Sequence, residues 1–139
     1  MNERDVAGIE AAAGVALPDH YRRFLTEHAE TLRDAKAKLP MRAVLYFAPE
    51  EIVRINKGLH DDPRMIEVNE DSEPWPLNYF VVGTNGGGDY WMVDLDDPRE
   101  AVWRYDSEAG GRIVPAEFRS WAEYLAALDR DLQNPRKWR

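Results

Sequence analysis

Three short segments in the middle of the chain constrain its fold more than any other feature. Residues 79–83, 90–95 and 101–105 are rich in β-branched and aromatic side chains, and turn-forming residues separate them. The gaps between them are only a few residues long, which excludes helical crossovers and permits antiparallel neighbours. We therefore predict an antiparallel sheet at the centre of the chain, with a fourth strand that includes Ile113 and Val114.

Amphipathic segments precede and follow these strands. Residues 3–13 place apolar side chains at helical spacing, and Gly14 follows as a stop signal. A second helix is expected to begin near Pro18 and to fray in the polar residues 34–38. The last helix is predicted over residues 116–132, where apolar side chains form one stripe.

The remaining segments complete an α+β arrangement. Residues 43–47 are predicted as a strand, and Pro49 opens a short helix that directs its apolar side chains inward. Residues 60–76 have no helical or strand period, so we predict a surface loop there, with one short strand considered near residues 65–68. The sequence thus predicts a single domain over residues 1–139: a central antiparallel sheet of about four to six strands, flanked by N-terminal helices and a C-terminal helix.

Two segments resemble ligand-binding loops but fail on spacing. The glycine-rich residues 83–89 precede a strand that starts at Tyr90, whereas a phosphate-binding loop runs into a helix. We predict a tight connection between antiparallel strands instead. A calcium loop counted from Asp94 would need glycine at its sixth position and glutamate at its twelfth, where this sequence has Arg99 and Tyr105.

Other catalytic arrangements also fail. The chain has no cysteine, which rules out a thiolate zinc site and a cysteine nucleophile. His20, His28 and His60 are widely separated, and no serine lies in a nucleophile turn. We therefore predict a protein that is not an enzyme, with no catalytic residue, no metal site and no cofactor.

The negative charge of the chain is concentrated in one region. The whole chain has a net charge of −8, and residues 61–108 hold 13 acidic and 3 basic side chains, a net charge of −10. Such a field repels nucleic acid and attracts cationic partners. We expect no direct nucleic-acid binding. The absence of a leader pattern or a long apolar run predicts a cytoplasmic protein with no membrane segment.

The order of two motifs resembles the SUKH superfamily. Its sequences typically open with a helix, a Leu-Pro pair and a second helix, as at residues 9–25 here. A later block of glycines and aspartate between apolar strands resembles residues 80–94. After Leu25 the family often has an Asn-Gly turn, whereas this sequence continues in a helical pattern. The motif positions are Leu17, Pro18, Phe24, Gly83, Gly88 and Asp89.

The resemblance implies a binding fold without catalytic residues. Bacterial members look like immunity proteins encoded beside polymorphic or contact-dependent toxins, many of which are nucleases. Eukaryotic relatives look like regulatory scaffolds.

The leading hypothesis is an immunity protein that neutralises a cognate toxin, with a nuclease as the favoured class, through an acidic surface. The candidate contact residues are Asp61, Asp62, Glu67, Glu70, Asp71, Glu73 and Trp75. Trp75 is either an aromatic anchor for the partner or a plug that packs the loop onto the sheet. A regulatory or scaffold protein without a toxin partner is the alternative, and a small-ligand or metal-binding enzyme is a third hypothesis.

Overall fold

The computed structural model describes residues 1–38, 45–69 and 73–133. Its four strands form one sheet in the order β1-β2-β3-β4, and all neighbouring strands are antiparallel. The predicted α+β fold is confirmed, with a sheet at the lower end of the expected size. The elements are α1 (Glu3–Ala13), α2 (Asp19–Lys38), α3 (Pro49–Asp61), β1 (Tyr79–Thr84), β2 (Tyr90–Asp94), β3 (Trp103–Asp106), β4 (Arg112–Pro115) and α4 (Trp121–Gln133).

The first helix has strong signals at both ends. Asn2 and Asp5 form a reciprocal capping box, in which the Asn2 side chain accepts from the Asp5 amide at 2.8 Å. Gly14 ends the helix in the left-handed conformation, with φ of 71°. The Leu17 amide then donates to Glu10 Oε2 at 2.8 Å, which fixes the connection to α2.

The second helix starts as predicted and is longer than predicted. The carbonyl of Pro18 accepts from the amides of Tyr21 and Arg22, so the Leu-Pro motif serves as the start of α2. The expected fraying in residues 34–38 is wrong, because α2 continues through these residues to Lys38. Ala35 is fully buried and extends the apolar stripe through this polar stretch.

One sheet face packs against α1, α2 and α4 to form what we call the first core. Phe80 and Val93 contribute from the sheet. Phe24 of α2 stacks on Trp121 of α4, with ring centroids 4.4 Å apart, which joins the two helices over the sheet.

The opposite sheet face forms a second core. Val81 and Met92 alternate with the residues of the first core, as the two-residue period of a strand requires. Leu59 from the end of α3 and Trp75 from the segment before β1 pack on this face. The third helix therefore lies between the cores, because its Ile52 belongs to the first one.

The outer edge of β1 is covered by a side chain of α3 and by a short stretch of backbone that precedes this helix. Asn56 of α3 is buried; its amide group donates to the Val81 carbonyl at 2.8 Å and its oxygen accepts from the Val81 amide at 2.7 Å. Beside it, Leu45 makes one isolated bridge with Gly83 and the Tyr46 amide donates to Val82.

Three predicted element boundaries need correction. Of the predicted strand at 43–47, positions 43 and 44 lie outside the described residues, and the described part forms only one bridge because Asn56 occupies the edge beside it. Near 65–68 there is again a single bridge rather than a strand. The last helix begins at Trp121 instead of 116, because the Ala116 amide still pairs with the sheet.

Candidate partner-binding surface

The acidic segment, defined here as residues 61–77, connects α3 with β1. It begins at Asp61, the last residue of α3, and the Asp62 amide donates to the Gly58 carbonyl to close the helix end. The Trp75 amide donates to the Pro63 carbonyl at 2.7 Å, so the two ends of the segment lie together. This contact makes the segment a closed loop on the second face of the sheet.

The structure places four of the six predicted contact acids on the outside of this loop. Asp61, Asp62, Glu67 and Glu73 are all exposed. The other two, Glu70 and Asp71, lie outside the described residues.

The segment is fastened to the turn between β3 and β4. The Tyr105 hydroxyl donates to the Glu67 carbonyl at 2.8 Å, and the Asn69 amide donates to the Gly111 carbonyl at 3.0 Å. Gly111 has a φ of 74°, and a Cβ there would lie 3.1 Å from the Glu67 carbonyl oxygen. Glycine is therefore required twice over, for its backbone angle and for the close approach. The role of Gly111 was not predicted from the sequence.

These contacts place the acidic segment beside another acidic part of the chain. The backbone carbonyl of Glu67 lies beside the end of β3; Asp106 at that end and Glu108 in the following turn belong to the same acidic region of the sequence. Elsewhere in that region, Asp97 is paired with Arg99 at 2.9 Å, so its charge is compensated locally.

Trp75 is the exception among the predicted contact residues. Only 3% of its surface is exposed, and its ring lies 5.7 Å from that of Tyr105. Its indole N–H donates to the Tyr79 carbonyl at 3.0 Å. The structure therefore favours the loop-plug alternative and leaves no indole surface for an anchoring contact.

Two large apolar side chains on the segment point outward instead. Met65 and Leu77 are each 52% exposed, and they are the large hydrophobic residues that the described chain leaves exposed. Neither was identified from the sequence, because an isolated apolar residue in a loop gives no periodic signal.

A buried ion pair lies on the other side of the sheet. Asp89 is 4% exposed and accepts from Arg104 Nη2 at 2.7 Å and from the Ser107 hydroxyl at 2.6 Å. Burial alone would raise the pKa of Asp89, but hydrogen bonds from Ser107 and then Arg104 outweigh it and hold that pKa below its usual value. The hydrogen bond to Asp89 raises the pKa of Arg104 in turn. The motif aspartate thus ties β3 to the glycine-rich turn as a charged structural group.

The glycine-rich turn has the predicted role of a strand connection. Gly83 lies where β1 shifts register, and a Cβ there would come within 2.6 Å of Leu45 Cδ2. Gly88 has a φ of 102° directly before Asp89. The Asn85 side chain accepts from the amides of Gly87 and Asp89, which closes the turn on itself rather than around a ligand.

The histidines occupy separate environments. His20 is buried and its Nδ1 accepts from the Trp121 indole at 3.0 Å, so it is a core group. His60 is exposed at the end of α3. Within the described residues, no three His, Cys, Asp or Glu side chains are grouped to hold a metal ion.

Comparison with known protein families assigns this chain to one of them. The sequence model of the SMI1 / KNR4 family (SUKH-1) matches residues 1–127. The chain belongs to this family. No curated protein and no solved structure shows significant similarity to the SUKH-1 chain.

Membership in SUKH-1 is consistent with toxin immunity and with a protein as the partner. The match includes both sequence motifs and the whole acidic segment. Among the described helices, none combines the length and apolar character needed to cross a membrane.

Proposed function

We propose that this SUKH-1 chain is a bacterial immunity protein that binds a cognate toxin through the acidic segment and blocks the toxin's action in the cytoplasm. One observation carries it: the exposed carboxylates and the exposed large apolar side chains, Met65 and Leu77, occur on the same loop. Protein interfaces combine an apolar centre with a polar rim, and methionine adapts readily to a partner surface.

The favoured partner is a toxin with a basic active-site groove, such as a nuclease. A groove that holds nucleic acid must carry positive charge, and an acidic loop can occupy it in place of phosphate. The carboxylates would then accelerate encounter, while burial of Met65 and Leu77 would slow dissociation.

The properties of Asp89, the buried carboxylate of the sheet region, also fit a binding function better than a catalytic one. Asp89 stays ionised in its ion pair with Arg104, and a group with a lowered pKa is poorly suited to proton transfer near neutral pH. We therefore infer a protein without enzymatic activity and without a cofactor.

The first test is co-expression with the open reading frame beside the gene. If that frame encodes a toxin, growth should stop when it is expressed alone and recover when the SUKH-1 chain is present. A lack of rescue, together with a housekeeping protein as the neighbour, would favour the regulatory scaffold instead.

The second test reverses the charge of the loop. Replacement of Asp61, Asp62, Glu67 and Glu73 by lysine should slow association with the toxin about tenfold or more at low salt, and the effect should shrink as salt is added. The matched control carries the same four-charge reversal on exposed positions of α2 and α4: Glu27, Glu30, Asp34 and Asp129. Equal slowing by both variants would indicate net charge alone and contradict a role for the loop.

A further inference from the structure

Two aromatic rings meet at an angle on the second face of the sheet, next to the end of the acidic segment. The ring centroids of Tyr79 and Trp103 are 6.1 Å apart and the ring planes make an angle of 67°. Both residues are half-buried. The rings thus form the two sides of a corner that remains partly open to solvent.

A carboxylate lies beside this corner. The β1–β2 register places Asp94 directly opposite Tyr79, so both side chains project from the same face. Burial raises the pKa of Tyr79, and the charge of Asp94 raises it further, which reflects their proximity. Oδ1 of Asp94 accepts from Asn78 and from the Asp96 amide, whereas Oδ2 receives no hydrogen bond from the described residues.

The first-core side of the same strand shows what such groups bind. Trp91 projects from β2 to the opposite face, and the Arg104 guanidinium lies 5.8 Å from the centroid of its ring. Glu117 accepts from the Trp91 indole at 3.3 Å and lies 3.9 Å from Arg104. An aromatic ring, a cation and a carboxylate are therefore combined within this chain.

The corner has the ring and carboxylate components of this arrangement. No lysine or arginine of the described residues lies over the ring of Tyr79 or of Trp103. The faces of aromatic rings carry partial negative charge, and the Asp94 carboxylate adds a full one. This surface repels anions and favours a guanidinium or an ammonium group.

We propose that the corner formed by Tyr79, Trp103 and Asp94 is a binding site for a lysine or arginine side chain of the protein partner. It rests on the proposed function in so far as the partner is basic. The site continues the interface of the acidic segment, because exposed Leu77 lies two residues before Tyr79. The corner would add specificity for a placed cation to the general attraction of the loop.

The experiment uses the whole labelled protein and three short peptides as probes: oligo-arginine, oligo-lysine and oligo-glutamate. Nuclear magnetic resonance follows the indole N–H signal of Trp103, assigned by its loss in Trp103→Phe. The arginine and lysine peptides should shift this signal in a saturable way, and the glutamate peptide should not. Indifference of the Trp103 signal to all three peptides would overturn the proposal.

Matched variants separate the corner from long-range charge. Tyr79→Leu removes one ring and Asp94→Asn removes the carboxylate charge; each should weaken oligo-arginine binding about three- to tenfold. Tyr79→Phe keeps the ring and should bind normally, which shows that the ring and not the hydroxyl is what the peptide contacts. Asp96→Asn makes the same charge change two residues away, and weakening equal to that of Asp94→Asn would contradict a specific site.

The outcomes for the corner and for the proposed function are distinguishable. If loop reversal abolishes toxin binding while Asp94→Asn and Tyr79→Leu leave it unchanged, the corner is not part of the interface and the immunity proposal stands. If the corner binds the cationic peptides but no toxin is neutralised, the site stands and the immunity proposal fails.

Discussion

The two faces of the sheet are covered in opposite ways. The first is covered by α1, α2 and α4, which satisfy their own backbone hydrogen bonds and contribute broad apolar stripes. The second is covered by the end of α3 and by the acidic segment, whose described backbone groups bond to the β3–β4 turn and to one another, as in the bridge between Val68 and Glu73. A helical cover distributes its stability over many contacts, whereas the segment depends on a few. The region that we propose to face a partner is therefore also the less redundant half of the fold.

The largest expected effect comes from the plug of the second core. Trp75→Ala should lower the free energy of unfolding by about 3–5 kcal/mol, because it leaves a cavity beside Tyr105 and removes the hydrogen bond to Tyr79. Denaturation in urea measures the loss. Amide exchange should also accelerate in the acidic segment well before it does in α2.

Trp91→Ala is the control for this comparison, because the ring of Trp91 is half-buried on the first face. It should cost less, about 1–2 kcal/mol, since much of its surface already contacts water. Equal losses for the two substitutions would contradict the special dependence of the second face on one residue.

The next effect concerns the fastening of the segment. Gly111→Ala should cost about 2–3 kcal/mol, because alanine must adopt a positive φ and its methyl group meets Glu67 and Tyr105. Gly86→Ala has nearly the same φ, 76°, with no atom within 4 Å of the new methyl group, and should cost about 1 kcal/mol. The difference, measured by denaturation, isolates the close contact. If both variants lose the same amount, the contact contributes nothing.

The same contrast explains what the sequence could predict. The helices over the first core were predictable because their apolar side chains recur at a fixed spacing, and the strands because they are short, apolar and separated by turns. The predicted boundaries were wrong where a group distant in the sequence occupies backbone hydrogen-bonding positions that a strand or helix would use. Asn56 does this at the edge of β1. No local pattern reports such a contact.

The candidate surface was predictable in charge but not in geometry. Composition located the acids, whereas the role of Trp75 depended on which way its ring points, and local sequence does not determine this. Gly111 and Glu67 come together across a large separation in the chain, as does the corner of Tyr79 and Trp103. Such pairs exist only once the strands are in register.

A smaller effect tests whether the buried hydroxyl groups of the first core have hydrogen-bond partners. The hydroxyl of Tyr21 is buried and finds no hydrogen-bond partner among the described residues, so Tyr21→Phe should raise the free energy of unfolding by about 1 kcal/mol. The hydroxyl of Tyr124 accepts from the Leu45 amide at 3.2 Å, and Tyr124→Phe should lower it by a similar amount. Opposite signs in thermal or chemical denaturation are the expected result. A loss in both variants would show that Tyr21 has a partner after all.

The smallest effect concerns His20, whose protonation changes the free energy of unfolding only when the pH is lowered. Burial lowers the pKa of His20 and Arg23 opposes its protonation, while Glu100, Asp97 and Asp19 partly offset both. The unfolded chain therefore binds a proton at a higher pH than the folded one. The contribution to stability is complete above about pH 6.5 and is lost as the pH falls from there through the lowered pKa of the folded state.

The Asn variant of this histidine tests the link between acid and the first core. His20→Asn keeps an acceptor for the Trp121 indole but cannot be protonated, so the slope of stability between pH 6.5 and the lower pKa should flatten. In the parent protein, acid should first shift the Trp121 indole signal and leave that of Trp75 unchanged, because only the first core holds this histidine. A Trp75 signal that moved first would mean that the acidic segment, and not the helical cover, responds to mild acid.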